Sequence, residues 1–195
     1  MKHEGWTAAD LSPVQVAALE VFEGLLAAHA IPRGMVASSD RGHLRKRHVL
    51  DSLRAVPHLG PLKQPVVDLG SGAGLPGIPI AVARPDLLFT LAEPRQLRVA
   101  FLELVIERLS LPNVRVFPSP AEELPPDAGA CLARGFGDLS RTWAVARGLL
   151  HPDGSLIYWA GTTFGADQVP EDARIADVGS PTLESGGPIV IMTRQ

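Results

Sequence analysis

The sequence predicts a doubly wound α/β fold: a mostly parallel sheet with helices packed on it, an antiparallel C-terminal hairpin, and a helical N-terminal extension. Three observations predict it. From residue 66 onward, short apolar runs alternate with amphipathic stretches, as strands and crossover helices do. The first apolar run ends in glycines that lead into a helix. Residues before 60 carry helical periodicity and no strand pattern. The division is therefore an extension over 1–60 and a ligand-binding domain over 61–195.

In the extension, Leu11, Val14, Ala18, Phe22, Leu25, Leu26 and His29 fall on one helical face over residues 11–29. Ser12-Pro13 provides an N-cap and a proline at the first helical position. Pro32, Arg33 and Gly34 stop that helix. A second helix is expected over about 38–55, capped by Ser38, Ser39 or Asp40. Pro57, Gly60 and Pro61 mark the boundary.

Val66–Leu69 reads as a buried strand, Ile78–Ala83 as a helix and Leu87–Ala92 as a second strand. Arg95–Leu109 is an amphipathic helix with Leu97, Phe101, Leu102, Val105 and Leu109 inward. Val114–Phe117 and Ala130–Ala133 are strands three and four. Leu139–Leu150 is a helix ended by Pro152 and Gly154, and Ser155–Trp159 is strand five. Ile175–Val178 and Ile189–Met192 form the final hairpin, with Gly186-Gly187 in its connection.

Composition narrows the function. Of 195 residues, 46 % are hydrophobic and 20 % charged, which is globular rather than disordered composition. The formal charge of −3 excludes binding nucleic acid through bulk charge, though not through a local patch. The single cysteine, Cys131, excludes an intrachain disulfide framework and a cysteine-based zinc site. It lies on a buried-strand pattern and reads as packing. No metal site, signal peptide or membrane span is expected, so the protein is placed in the cytoplasm, with a monomer as the expected state.

The strongest local signal is the stretch from Val66 to Gly77. Gly72-Ala73-Gly74-Leu75-Pro76-Gly77 matches the dinucleotide pattern G-x-G-x-x-G. Asp68-x-Gly70-x-Gly72-x-Gly74 matches the acidic-plus-glycine loop of S-adenosylmethionine enzymes. Both readings expect an acidic residue after the second strand to bond ribose hydroxyls, and Glu93 stands there. The strand's own Asp68 favours S-adenosylmethionine. So does Ala121-Glu122-Glu123 after strand three, where backbone and carboxylate can hold an adenine.

Beyond these glycines, Asp68-Leu-Gly-Ser-Gly-Ala-Gly-Leu-Pro-Gly-Ile-Pro79 resembles the cofactor loop of the glucose-inhibited division protein B family, bacterial methyltransferases of guanine N7 in small-subunit ribosomal RNA. Arg47-His48-Val49-Leu50-Asp51-Ser52-Leu53, Arg98, Phe101-Leu102, Ala121-Glu122-Glu123 and Ala133-Arg134-Gly135-Phe136 continue the resemblance in order, from about residue 40 to 161. It implies a class I methyltransferase sheet of Rossmann-like form, with S-adenosyl-L-methionine as cofactor and ribosomal RNA or the small ribosomal subunit as partner. It implies that Gly70 and Leu75 contact the cofactor, within a loop that also brings Ser71, Gly72 and Gly74 to it. Glu93 then holds the ribose, Ala121 and Glu122 the adenine, and Arg134 lies beside the methyl-transfer site. The chain departs from the family pattern at Ile31–Ser39, Leu97, Ala133 and Ala160, where the family's basic residue before Arg98, its serine and its lysine are replaced.

The residues agree with chemistry that removes no proton. Guanine N7 offers a free lone pair, so alignment supplies much of the acceleration. No Asn/Asp-Pro-Pro-aromatic motif follows strand four, and Cys131 is not in a Pro-Cys motif. Arg134, at a strand end, is suited to donate to guanine O6, and Phe136 to stack on a base. Arg41–Lys63 carries six basic residues against one acidic, and Arg45 and Arg47 are its candidate RNA contacts. Arg47, His48 and Asp51 are expected on one helical face, with His48 and Asp51 pinning that helix to the core. Two other readings keep part of this picture: a small-molecule methyltransferase on the same fold, or a non-catalytic protein that binds S-adenosylmethionine or RNA.

Overall fold

The computed structural model describes residues 8–62, 64–179 and 187–195. The Gly/Pro/Ser-rich connection of the final hairpin, Gly186 included, and Lys63 of the basic segment lie outside them. Seven strands form one sheet: β1 (Val66–Leu69), β2 (Phe89–Ala92), β3 (Val114–Phe117), β4 (Ala128–Ala133), β5 (Leu150–Trp159), β6 (Ala173–Gly179) and β7 (Ile189–Arg194). Their order is β3-β2-β1-β4-β5-β7-β6. β1 to β5 pair in parallel, and β7 runs antiparallel to both β5 and β6. The expected hairpin is present, with β7 inserted between β5 and β6.

β1, β2 and β4 are buried at every position, as parallel strands covered on both faces must be. Two apolar clusters lie on the two faces. One joins β1 and β2 to the helices α3 (Gly77–Ala83) and α4 (Gln96–Leu109), and also takes in the N-terminal extension. The other is built on α5 (Leu139–Leu149), with Trp143 at its centre. Trp143 and Trp159 are both buried.

The first helix, α1 (Pro13–Leu25), starts in a capping box: Ser12 and Gln15 satisfy each other's backbone N–H. Such a cap contributes about 1 kcal/mol. Gln15 also donates to the Val82 and Ala83 carbonyls at 2.9 and 3.3 Å, so it joins the start of α1 to the end of α3. The buried stripe runs through Leu19, Phe22, Leu26 and Ala30, whereas Val14 is 78 % exposed. The buried face therefore leaves out Val14, because the first turn of α1 meets α3 through Gln15 instead. Leu97, in the first turn of α4, is exposed as well.

The helix expected over 38–55 is broken into different turn types. Ser38–His43 is a 3₁₀ turn, and Arg45–Leu50 is a wide helical turn that runs into the short α2 (Asp51–Leu53). Strand β5 begins at Leu150 rather than Ser155. Pro152 and Gly154 lie within it, beside the register shift between Ala128 and Ala130.

Candidate functional site

Strand register places the candidate residues abreast. Leu69 pairs with Ala92, and Asp68 pairs with Leu132. The next residues out of β1 and β2, and the residue after Ala133, are Gly70, Glu93 and Arg134. They emerge along one rim, at the carboxyl ends of the parallel strands where such sheets bind ligands.

The loop after β1 takes left-handed backbone at Gly70, Gly72 and Gly74, with φ of +64°, +58° and +80°. Side chains adopt that conformation only at a cost of about 1–2 kcal/mol. These are the glycines of the acidic-plus-glycine pattern. Gly77, the last of the competing dinucleotide pattern, has no positive φ and is glycine for space instead: a Cβ there would stand 2.6 Å from Asp68 Oδ2 and Leu91 Cδ2. The loop is tied by backbone bonds from Ser71 N–H to the Ala92 carbonyl and from Gly74 N–H to the Ser71 carbonyl.

Two buried carboxylates brace it. Glu93, 2 % exposed, accepts from Gly72 N–H at 3.0 Å and from Arg98 at 3.4 Å through Oε2, and from Arg95 N–H at 2.9 Å through Oε1. Asp68 Oδ2 accepts from Gly77 N–H at 3.0 Å, while its Oδ1 is buried without a partner among the described residues. Burial pushes the Asp68 carboxyl up to about 7, against the hydrogen bond from Gly77 N–H.

A crevice of about 280 Å³ lies over this loop. Gly70, Ser71, Gly72, Ala73 and Leu75 form one wall, and Arg134 and Gly135 another. Arg98 from α4 and Met35, Val36, Ala37 and His48 from the extension complete it. Sequence reasoning did not place these last five residues at the site. His48 and Arg98 stood in recognised motifs, but Met35–Ala37 carry no signal of their own. A second cavity of about 430 Å³ lies beyond the β4–α5 turn, between Asp138 to Ser140 at the start of α5 and Tyr158, Thr163 and Phe164.

Arg134 bonds Asp51 at 3.4 Å. Burial works against its charge, and Asp51 and Asp68 support it. Arg47 and His48 both bond Asp40, at 2.8 and 3.0 Å, while Asp51 pairs with Arg54 at 2.7 Å. Across the wide turn at Arg45–Leu50, Arg47 and His48 thus turn to Asp40, and Asp51 to Arg54 and Arg134. Burial pushes the His48 imidazole down, as does the Arg134 charge, against Asp40. Burial also disfavours ionised Asp40, but its bonds to Arg47 and His48 outweigh this and hold the carboxyl below its usual value.

The other candidates do not line the crevice. Arg45 pairs with Glu23 at 3.4 Å and Glu20 at 3.6 Å. Arg54 donates to the Gly179 and Gly187 carbonyls and is half-buried at the sheet edge, so the basic segment offers fewer exposed charges than its sequence suggests. Ala121 is buried under the turn after β3, and Glu122 is exposed beside α5. Phe136 is half-buried against Gly70, with Arg141 stacked 5.6 Å from its ring centre. Cys131 is fully buried and burial pushes its thiol up, which leaves it inert packing.

Comparison with known proteins gives these positions a context. A family model described as rRNA small subunit methyltransferase G matches residues 15–178. The ribosomal RNA small subunit methyltransferase G of Nocardioides sp. is 35 % identical over 85 % of this chain and 66 % of its own length. Those of Thermobifida fusca and Chromobacterium violaceum are 35 % and 34 % identical, over 88 % and 79 % of this chain and 77 % and 74 % of theirs. The chain thus spans about two thirds to three quarters of these relatives.

Among solved structures, a mutant of MtNAS in complex with S-adenosylmethionine superposes with a TM-score of 0.63 at 15 % identity, covering 93 % of this chain and 76 % of that one. A putative methyltransferase from Escherichia coli gives 0.54 at 16 % identity, over 69 % and 78 %. At such identities the likeness is one of fold. With the family model spanning most of its length, the chain belongs to the ribosomal RNA small subunit methyltransferase G family.

Proposed function

We propose that the protein is an S-adenosylmethionine-dependent methyltransferase that modifies N7 of a guanine in small-subunit ribosomal RNA. The observation that carries this is the rim itself. In a chain of this family, the left-handed Gly70 and Gly72 and the Arg134 side chain line one crevice, and the buried Glu93 carboxylate braces its loop through the Gly72 N–H.

The residues present fit the cofactor. Within the glycine loop, Gly72 faces open space, where a Cβ would meet nothing nearer than Arg98 Nη1 at 3.7 Å, while Gly70 and Gly74 pack against Phe136 and Ile78. Asp68 Oδ1 is a buried acceptor still lacking a donor among the described residues. Gly70, Ser71, Gly72, Gly74 and Leu75 would hold the amino-acid portion, and Glu93 the ribose. The adenine would reach Ala121 and Glu122 at the far end of the rim. Bound S-adenosylmethionine supplies an electrophilic methyl group. No base is required of the chain, because N7 attacks with a free lone pair and loses no proton. Arg134 donates to the neighbouring O6 and fixes the base in line. Met35, Val36 and Ala37 exclude water from that side of the crevice.

The acceptor base enters from the cavity beside Tyr158 and Phe164, past the Phe136 turn. Phosphates meet Arg41, Arg45, Lys46 and Arg47. The ion pairs of Arg45 and Arg47 are exposed enough to yield to a phosphate, since such pairs contribute about 0–1 kcal/mol. On the same reading the protein works as a monomer in the cytoplasm.

The test is nucleoside mass spectrometry of small subunits from a strain lacking the protein, after incubation with purified protein and labelled S-adenosylmethionine. Labelled 7-methylguanosine is the expected product. Cofactor binding without label in RNA would overturn the RNA reading.

A further inference from the structure

Asp51 stands at a junction that the mechanism above leaves unused. Its backbone carbonyl accepts from Trp159 Nε1 at 3.2 Å, so α2 is tied to the end of β5. Its carboxylate is shared by two arginines: Oδ1 takes Arg54 Nη1 at 2.7 Å, and Oδ2 takes Arg134 Nη1 at 3.4 Å. Arg54 is itself held, through Nη2, by the carbonyls of Gly179 and Gly187 at 3.3 and 3.2 Å. The carboxylate is therefore fixed from the far side and cannot follow Arg134 if that side chain moves.

Arg134 needs such a fixture. It lies on an irregular turn next to Gly135, which has a φ of +67°, and Gly137 follows two residues later. The guanidinium ends a long rotatable chain, and ordering it is costly in entropy. The charged groups that face it are Asp51 from α2, Asp68 from β1 and His48 from the wide turn. Asp51 alone among them is hydrogen-bonded to it among the described residues.

We propose that Asp51 is a positioning residue that aims the Arg134 guanidinium into the crevice, so that the N-terminal extension completes the methyl-transfer site. The inference rests on the methyltransferase reading of Arg134. It assigns the extension a part in turnover besides any part in RNA contact. A misplacement of about 1 Å at a reacting centre costs about 10²-fold in rate.

The experiment compares full-length wild type, Asp51→Asn, Arg134→Lys and the double variant. Turnover is measured on undermethylated small subunits, cofactor binding by titration, and the Arg134 side-chain N–H resonances on ¹⁵N-arginine-labelled protein. We expect Asp51→Asn to lower kcat about 10²-fold, with cofactor Kd changed less than threefold and the Arg134 resonance shifted and broadened. The double variant falls no further than Arg134→Lys alone, because the two residues act as one unit. Additive losses, or an unmoved Arg134 resonance, overturn the proposal. Should Asp51→Asn fail to fold, Asp51→Glu replaces it in the same cycle, judged by the same two criteria. If wild type transfers no methyl group while the resonance still moves in the variant, the methyltransferase reading falls and the positioning of Arg134 stands. If wild type is active and the variant keeps its kcat within threefold, the positioning role alone falls.

Discussion

The ring of Phe136 lies against the α-carbon of Gly70: a Cβ built on Gly70 would stand 2.8 Å from Phe136 Cδ2. This contact locks the loop after β1 to the turn after β4, the two segments that frame the crevice. Gly70→Ala should therefore destabilise the fold by about 2–4 kcal/mol, part from left-handed backbone and part from overpacking. Adding Phe136→Ala removes the clash but not the backbone strain. Urea denaturation of the single and double variants should give a coupling of about 1 kcal/mol or more in the relieving direction. Simple additivity would mean that the ring moves aside without cost.

Gly72 and Gly77 should respond differently to the same change. A Cβ on Gly72 meets nothing closer than Arg98 Nη1 at 3.7 Å, so Gly72→Ala bears only the left-handed penalty, about 1–2 kcal/mol. On Gly77 the same methyl collides with Asp68 and Leu91 inside a packed interior, and Gly77→Ala should cost clearly more. Gly72→Asp has room for its Cβ but brings a second carboxylate beside Glu93, whose Oε2 already bonds the Gly72 N–H. That variant should fold and fail to bind S-adenosylmethionine, as read by thermal melts and titration side by side.

These contrasts show how far the sequence could be read. The glycine spacing located the loop, and β1, β2 and β4 were legible because fully buried parallel strands leave continuous apolar runs. Arg134 and Glu93 followed from their places just past strand ends, a position that local pattern marks. The partners of Arg134 did not follow. Asp51 is 83 residues away, and its approach depends on a wide helical turn that no residue in Arg45–Leu50 announces. Val14 and Leu97 show the same limit: periodicity identifies a face, but only the neighbouring elements decide how far along the helix that face is covered.

Glu93 makes its effect on binding separable from its effect on the loop. It accepts from Gly72 and Arg95 backbone N–H groups and also faces Arg98. Glu93→Gln keeps an acceptor for one of those N–H groups but loses the charge. Hydrogen bonds to a charged group contribute about 1.5–3 kcal/mol, so cofactor Kd should rise about 10- to 100-fold. Glu93→Ala should lower the melting temperature as well, because it strands buried donors. Equal Kd values for wild type and Glu93→Gln in a calorimetric titration would exclude a ribose contact.

Asp68 gives the fold a pH dependence whose sign can be worked out. In the unfolded chain its carboxyl ionises near 3.8; in the folded protein, burial raises this to about 7. Between those values the folded state holds the proton and the unfolded state has released it. Stability from this group is thus complete below about 4 and declines as pH rises toward 7, because the ionised carboxylate is disfavoured in the interior. His48, whose imidazole is pushed down by burial and by Arg134, works in the opposite sense: it costs stability as pH falls below 6.5. The two contributions overlap, so the wild-type profile alone cannot separate them. Asp68→Asn removes the first and leaves the second, and its amide oxygen can still accept from Gly77 N–H. The difference in unfolding free energy between Asp68→Asn and wild type, taken from urea melts without cofactor, should shift in favour of the variant by a few kcal/mol from pH 5 to pH 8. A difference that stays constant across that range would show that Asp68 is ionised throughout, with its Oδ1 satisfied by solvent or by Arg134.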